Sequence, residues 1–462
     1  MRLNRKLLFD VIDNIKVTRR TGKVNKNKLL KEFYQQVKSN TLFDSNGLPV
    51  HLDYNLLDTF DKNLNQFTQQ EIRDIFDYRM TLLETQSYSQ GHDFLTDYFI
   101  HNNLHRLYDK LDHELPDEVG VLPEYCNNRI DVLWLYVNGT EEHWLETYNK
   151  FMKKRIDQKR YRDYGSLKYS MRSVFESLDY ENIHWHLVVQ DEYQIPTFLN
   201  KSKLIYYNDE STPGSLRIIY HKDFFPHEEY LPVFNSNAIE SALYNIKGVG
   251  ECMLYMNDDF FINVPLKPSM IFTNDGKLKI YQQIRTGATS FTFYPWSNMI
   301  ASTNKALDRY FQNERKRHYI GHFCYFFRMS ILKELGVHFH EEFNYTQKQR
   351  VRSQNDTVLV YLHGNYALEK GYAEGVFESG QLSYYTRIYK YSLVNAINLN
   401  KINKKQVPFL CINDSLGGTI KEQERAIYQY QRMFQELYTV KTPFELEENE
   451  NVQRNDDSNI NK

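Results

Sequence analysis

The chain has 462 residues, 41% apolar and 25% charged, enough for one large catalytic domain with appendages or for two or three smaller domains. Lys and Arg number 57 against 59 Asp and Glu, a formal net charge of −2. That balance argues against a general nucleic-acid coat or an anionic-membrane binder, both of which carry a basic excess. Aromatic residues make up 15%, mostly 36 Tyr and 29 Phe. This suits stacking on sugars or bases, and equally a genome that favours Phe, Tyr, Asn, Lys and Ile codons.

The N-terminus "MRLNRKLLFDVIDNIKVTRR" mixes charges with apolar residues and offers no signal-peptide core. No stretch reaches the roughly 18 apolar residues of a membrane span, so the expectation is a soluble or peripherally membrane-bound protein. Residues 1–125 read as a helical N-terminal extension: "TQQEIRDIFDYRMTLLETQ" spaces apolar residues at three and four.

At Ile130 the pattern changes. "IDVLWLYV", "IHWHLVVQD" and "CMLYMNDD" are apolar runs suited to buried strands, and "KLIYYND" reads as a further strand. Between them "EEHWLETYNKFMKKRI", "SLKYSMRSVFESL" (Ser166 as N-cap) and "FNSNAIESALYNI" read as helices. The fold class is α/β, a mostly parallel sheet flanked by helices. Ligands of such sheets bind past the carboxyl ends of the strands. The polar clusters "NGT", "QDEYQ" and "NDD" follow three of the runs. Residues 126–415 are expected to be the catalytic domain, with further helices and loops over 300–400. Residues 416–462 are expected to hold a C-terminal helix and a disordered polar tail.

The four cysteines, Cys126, Cys252, Cys324 and Cys411, form no CxxC pair, which disfavours zinc. Their apolar neighbours predict buried free thiols in a reducing compartment, two long-range disulfides being the alternative. No P-loop, strand-borne GxGxxG, GxSxG elbow or HExxH is present, which disfavours P-loop nucleotidases, Rossmann dehydrogenases, α/β hydrolases and zincins.

Several residues stand where chemistry needs them, each with a plainer reading. Asp258 and Asp259 at a strand end hold a divalent cation, or simply accept turn hydrogen bonds. Asn235, Ser236, Asn237 and Glu240 open a helix N-terminus to an anion, or cap it. Arg172 is a phosphate fork or a surface charge. His322, in "IGHFCYFF", is a general base or a core histidine. "RVRSQND" sets Arg350, Arg352 and Asp356 near a helix start that would welcome an anion.

In order, "IDVLWLYVNGT", "YGSLKYSMRSVFESLDYENIHWHLVVQDEYQIPTFLN", "HKDFFPHEEYLPVFNSNAIESALYNIKGVGECMLYMNDDFFI" and "RVRSQNDTVLVYLHGNYALEKG", with "GHFCYFF" before the last, resemble the four blocks of the Stealth family. That family includes bacterial capsular polysaccharide phosphotransferases and the animal enzyme that adds N-acetylglucosamine-1-phosphate to lysosomal glycoproteins. The resemblance covers about 129–375. Leu135-Tyr136 replaces a frequent Thr-Trp, and Gln190-Asp191-Glu192 replaces a frequent Thr-Asp/Asn-Gly turn.

The resemblance implies a GT-A-like core. It also implies transfer of hexose 1-phosphate from a nucleotide diphosphate sugar to a hydroxyl of a glycan or glycolipid-linked acceptor, with release of nucleoside monophosphate. In that reading His322, Arg352, Arg172 and Asp258 are catalytic, Arg172 and Arg352 holding phosphate oxygens. Asp131, Asn138, Asn235, Asn237, Glu240 and Asp356 bind substrate. Asp258 and Asp259 bind Mg²⁺ or Mn²⁺. No nucleic-acid partner is expected, and the expected location is the cytoplasm, including the inner membrane surface. The rival readings are a GT-A glycosyltransferase, which would release nucleoside diphosphate, and a non-catalytic glycan-binding protein.

Overall fold

The computed structural model describes residues 120–447, with gaps at 153–155, 157, 179–181, 379–381 and most of 391–406, plus a short pairing of Leu42–Phe43 with Pro49–Val50. The helical extension expected over 1–125 falls almost wholly outside the described residues, as does the expected polar tail. The described residues divide into two compact units. The larger takes 120–387, 404–414 and 437–447, and the smaller takes the described parts of 388–403 and 415–436.

In the larger unit the four apolar runs become four strands of one six-stranded sheet, whose other two strands, Leu216–Tyr220 and Tyr325–Arg328, were not expected. In chain order the elements are β1 (Ile130–Leu135), α1 (Glu142–Phe151), α2 (Ser166–Ser177), β2 (Ile183–Val189), β3 (Leu204–Tyr206), β4 (Leu216–Tyr220), α3 (Ser236–Glu240) and β5 (Cys252–Asn257). There follow β6 (Phe260–Ile262), β7 (Leu278–Thr286), α4 (Pro295–Phe311), β8 (His318–Ile320) and β9 (Tyr325–Arg328). Next come α5 (Met329–His338), α6 (His340–Gln347), α7 (Leu359–Glu369), β10 (Ala373–Phe377), β11 (Ser383–Ile388) and β12 (Phe409–Asp414). The main sheet runs β9-β5-β1-β2-β4-β3, parallel throughout except for antiparallel β9. Every residue of β1 and β2 is buried, as expected of parallel strands covered on both faces. Three-stranded sheets β8-β7-β10 and β11-β12-β6 flank it.

The smaller unit holds most of helix α8 (Ile420–Leu437). There the Asn395 amide brackets the backbone of Tyr389 and reaches Gln429 Oε1 at 3.2 Å. Among the described residues no helix is long and apolar enough to cross a membrane.

Helix α2 begins one step differently from the expectation. Gly165, at φ +79°, is the N-cap, and Ser166 is the first helical residue. An L side chain is strained at that φ, so glycine suits it. The serines of "SLKYSMRSVFES" recur at helical spacing and face β6. Ser170 Oγ donates to the Phe260 carbonyl at 2.6 Å, Ser173 Oγ accepts from Ile262 N at 3.2 Å, and Ser177 Oγ donates to the Ile262 carbonyl at 3.2 Å. Small hydroxyls let helix and strand approach closely while satisfying backbone groups.

The helix expected over "FNSNAIESALYNI" is shorter than its sequence suggests. It stops at Glu240, and a separate 3₁₀ turn spans Leu243–Asn245. The Ser241 carbonyl accepts from Gln347 Nε2 at 2.9 Å and so is taken up outside the helix. The expectation of helices and loops over 300–400 missed β8, β9, β10 and β11. These are short, and distant partners define them, as when β9 pairs with β5.

The free-thiol expectation is half corrected. Cys324 and Cys411 are free and buried, but Cys126 and Cys252 form a disulfide across 126 residues of sequence. Pairing of β1 with β5 sets Asp131 opposite Met253 and brings Cys252, the first residue of β5, beside the segment that leads into β1. The cysteine argument for a reducing compartment loses its support, since disulfides persist mainly in oxidising ones.

Arg172 is buried on α2 as a fork on Glu445, with Nε to Oε1 at 2.8 Å and NH2 to Oε2 at 2.6 Å. NH1 donates to the Tyr438 carbonyl at 3.1 Å. Burial favours protonation of Glu445, but the Arg172 hydrogen bond and the Thr442 backbone N–H outweigh it and hold the carboxyl below its ordinary range. Removing one partner strands the other charge. Arg172→Ala is expected to lower unfolding stability by about 3 kcal/mol in urea denaturation, and Arg172→Met with Glu445→Leu to restore most of it.

Candidate active site

A cavity of about 870 Å³ opens past the carboxyl ends of the central strands. Leu135–Val137 at the end of β1, Val188 and Gln190 at the end of β2 and Asn257–Asp259 at the end of β5 line it. Its size suits a drug-sized or nucleotide-sized ligand. Trp144 of α1 enters from one side. Glu141 caps that helix by accepting from His143 N and Trp144 N at 2.9 and 2.7 Å. Trp144, Tyr148 and Phe234 pack with ring centroids 4.9–5.3 Å apart.

The acidic part of the site is the turn that ends β5. Asp258 Oδ2 accepts from Ser166 Oγ at 3.1 Å, and Asp259 Oδ2 accepts from Asn413 Nδ2. The Asp259 carbonyl accepts from Ile412 N at 3.0 Å, tying the turn to β12. Burial, then the charges of Asp259 and Asp163, push the Asp258 carboxyl well above its ordinary range. Burial likewise pushes Asp259 to about 6, against its bonds from Asn413 and Cys411. Glu240, also in the lining, is raised by burial to about 7 despite the Arg352 charge and a 3.1 Å bond from Tyr255 Oη.

Opposing these acids, six cationic side chains line the cavity among the described residues: Lys159, Arg160, Arg162, Arg285, Arg352 and Arg387. Arg352 NH2 donates to Ser236 Oγ at 2.7 Å. Its loop is fixed from behind by Asp356 Oδ2, which accepts from Asn235 Nδ2 (2.8 Å), Asn237 Nδ2 (3.2 Å) and Ser353 N (3.0 Å). Arg162 pairs with Asp414 at 2.5 Å, and Arg387 Nε donates to Tyr385 Oη at 2.9 Å.

His322 meets the cavity with Nδ1 2.9 Å from Tyr325 Oη and its ring against the edge of Phe260. Burial, then Arg352 and Arg387, lower its pKa to about 4, so the imidazole is neutral at physiological pH.

Of the residues singled out from sequence, Asp258, Asp259, Asn237, Glu240, His322 and Arg352 line this cavity. Asn235 and Asp356 stand behind it as the clamp on the Arg352 loop. Arg172 is not in the lining; Glu445 and Tyr438 hold it. Asn138 is also outside the lining, with its side chain accepting from Thr140 N and Oγ1. Asp131 sits near the start of β1, about 16 Å along the strand from Tyr136 at the cavity.

At that far end Asp131 accepts from Arg129 Nε and Gly250 N and from His186 Nε2 at 2.6 Å, while Arg217 Nε donates to His186 Nδ1 at 3.2 Å. Burial would raise Asp131, but its bonds from His186 and Arg129 outweigh that and hold it below its ordinary value. Sequence reading missed Lys159, Arg160, Arg162, Arg285 and Arg387. The usable signal was "KRYRDYG", bases alternating with aromatics just before α2.

This is an α/β protein whose ligand cleft, walled by cations and floored by acids, lies past parallel strand ends. Residues 160–280 match the family model for Stealth protein CR2, conserved region 2, and residues 321–369 match that for Stealth protein CR3, conserved region 3. The chain thus carries two conserved regions of the Stealth family. The matches cover every block of the resemblance except the first, at 130–140.

It is 26% identical over 340 residues to "Capsular polysaccharide phosphotransferase SacB" of Neisseria meningitidis serogroup A, covering 71% of this chain and 59% of that protein. It is 28% identical over 309 residues to "Capsular polysaccharide phosphotransferase fcs1" of Haemophilus influenzae, covering 62% and 78%. The chain thus spans about three fifths of the SacB relative's length. A crystal structure of galactosyltransferase LgtC with donor and acceptor sugar analogues overlaps 67% of this chain and 97% of that one, at TM-score 0.33 and 10% identity.

A carboxylate raised in the fold favours its protonated form there, so it costs stability as pH rises through its folded pKa. Asp259→Asn, measured in chelator, is expected to be about 2 kcal/mol more stable than wild type at pH 8 and indistinguishable from it near pH 4. Urea unfolding at the two pH values is the check.

Proposed function

We propose that this chain transfers a sugar 1-phosphate from a nucleotide diphosphate sugar to a glycan hydroxyl, forming a phosphodiester and releasing nucleoside monophosphate, in capsular or exopolysaccharide synthesis. The core is taken as GT-A-like. The observation that carries the reading is one cavity that joins a half-buried acid pair, a cation wall and a neutral histidine. A diphosphate needs cations, and an attacking hydroxyl needs a base. The names of the relatives support the same class of reaction.

In this reading Arg352, held by Ser236 and the Asp356 clamp, takes oxygens of the transferred phosphoryl group. Arg160 and Arg162 extend that wall to the diphosphate. Trp144 and Tyr161, both in the lining with ring centroids 5.1 Å apart, offer faces for the base or sugar. His322 accepts the proton of the acceptor hydroxyl at Nε2, in the tautomer that donates Nδ1–H to Tyr325 Oη. Asn235 and Asp356 act by positioning, and Arg172 and Asp131 act through the fold.

The acid pair fits a divalent cation, because two half-buried, mutually repelling carboxylates are relieved by positive charge. Asp258 and Asp259 would hold Mg²⁺ or Mn²⁺, which supplies charge neutralisation at the diphosphate when bound.

The experiment is to incubate the chain with nucleotide-sugar donors and identify the released nucleotide. Monophosphate is expected; diphosphate release would sink the transfer reading in favour of a glycosyltransferase. His322→Ala is expected to lower kcat by about a hundredfold or more with unfolding unchanged. Because His322 is already deprotonated above about 4, it contributes no acid limb to kcat/KM between pH 5 and 8. Mn²⁺ is expected to raise the melting temperature of wild type at pH 8 and to leave Asp258→Asn unmoved, followed by calorimetry.

A further inference from the structure

Phe291, Phe293, Tyr294 and Trp296 are 47%, 95%, 70% and 45% exposed. Four uncovered rings within six residues form the kind of surface that marks a binding site. The loop is braced rather than slack. Gly287 N donates to the Arg317 carbonyl and Asn304 Nδ2 to the Ala288 carbonyl, each at 2.8 Å. At the tip Thr292 N donates to Asn298 Oδ1 at 2.6 Å and Tyr294 N to Thr292 Oγ1 at 3.1 Å, and Pro295 opens α4. Rings held outward on a fixed backbone lose little freedom on binding.

The strip continues into the active-site cavity. Trp296, in the first turn of α4, lines it together with Arg285. At the outer end Lys305 Nζ lies 4.8 Å from the Phe291 ring centroid. A cation thus stands at each end of the run of rings, Arg285 with Trp296 in the lining and Lys305 on Phe291.

Resting on the transfer reading above, the geometry points to this loop as an acceptor subsite for a glycan chain whose sugars are joined by phosphodiesters. Sugar rings offer flat C–H faces to aromatic rings, and phosphodiesters offer anionic oxygens to Lys305 and Arg285. A neutral glycan would leave the cations unused. A lipid surface also accepts rings and cations, but continuity with the cavity through Trp296 favours the acceptor, whose terminal hydroxyl must enter it.

The test is calorimetry on the full chain with three probes: a synthetic tetramer of phosphodiester-linked hexoses, a tetramer of the same sugars in glycosidic linkage, and phosphatidylglycerol–phosphatidylcholine vesicles. The phosphodiester tetramer is expected to bind wild type. Phe293→Ala with Tyr294→Ala is expected to weaken it about tenfold with unfolding unchanged, since both side chains are exposed. Lys305→Gln is expected to weaken the charged tetramer and leave the neutral one unmoved. Failure of wild type to bind the charged tetramer overturns the proposal, as does equal binding by the double variant. Vesicle binding that the double variant loses while it keeps the tetramer overturns it in favour of membrane contact. The transfer reading is judged separately by the nucleotide wild type releases. Diphosphate release with loop-dependent tetramer binding sinks that reading alone; monophosphate release with loop-independent binding sinks the subsite alone.

Discussion

The structure is organised around two adjacent carboxylates that the chain half-buries at one strand end. Asp258 and Asp259 follow β5 directly, and burial disfavours their charge. The surroundings answer with hydrogen-bond donors from separate elements, Ser166 at the start of α2 and Asn413 on β12. These bonds tie the sheet, a flanking helix and a flanking strand to the point where β1, β2 and β5 end. Repelling carboxylates set side by side cost stability, and in the proposed function they would hold a cation at the diphosphate.

The same economy of position explains α2. With Gly165 as the cap, the Ser166 hydroxyl is released to Asp258. The following serines bond to β6, which itself extends from the acid turn. Arg172 secures the far side of the helix through Glu445. The helix is therefore a brace between the acid pair and the segment around Glu445, to which its one arginine is bound.

The cation wall is assembled from segments far apart in sequence. Arg352 comes from a loop clamped by Asp356 against Asn235 and Asn237, so the polar start of α3 orients an arginine more than 100 residues away. His322 arrives just before the antiparallel edge strand β9 and is kept neutral by burial and by the arginines it faces. Acids raised, imidazole lowered and guanidiniums held between them form a graded field, suited to moving a proton and steadying a diphosphate in one cavity.

The sequence by itself determined β1, β2 and β5, because buried parallel strands are near-continuous apolar runs, but not β4, whose run is broken by Arg217. It also determined the acid pair at the end of β5, and His322 and Arg352 as groups worth following, because polar residues in apolar company ask for a reason. Tertiary structure alone decided which charges meet. Asp131 and Arg172 look like site residues on paper, yet the first belongs to a buried network at the opposite end of its strand and the second to an ion pair with Glu445. Arg160, Arg162, Arg285 and Arg387 look like solvated charges until strands and loops fold them around one cavity. The disulfide between Cys126 and Cys252 likewise waits on the pairing of β1 with β5. Local pattern reports burial and periodicity, whereas the partner of a charge or a thiol is set by contacts across the whole chain.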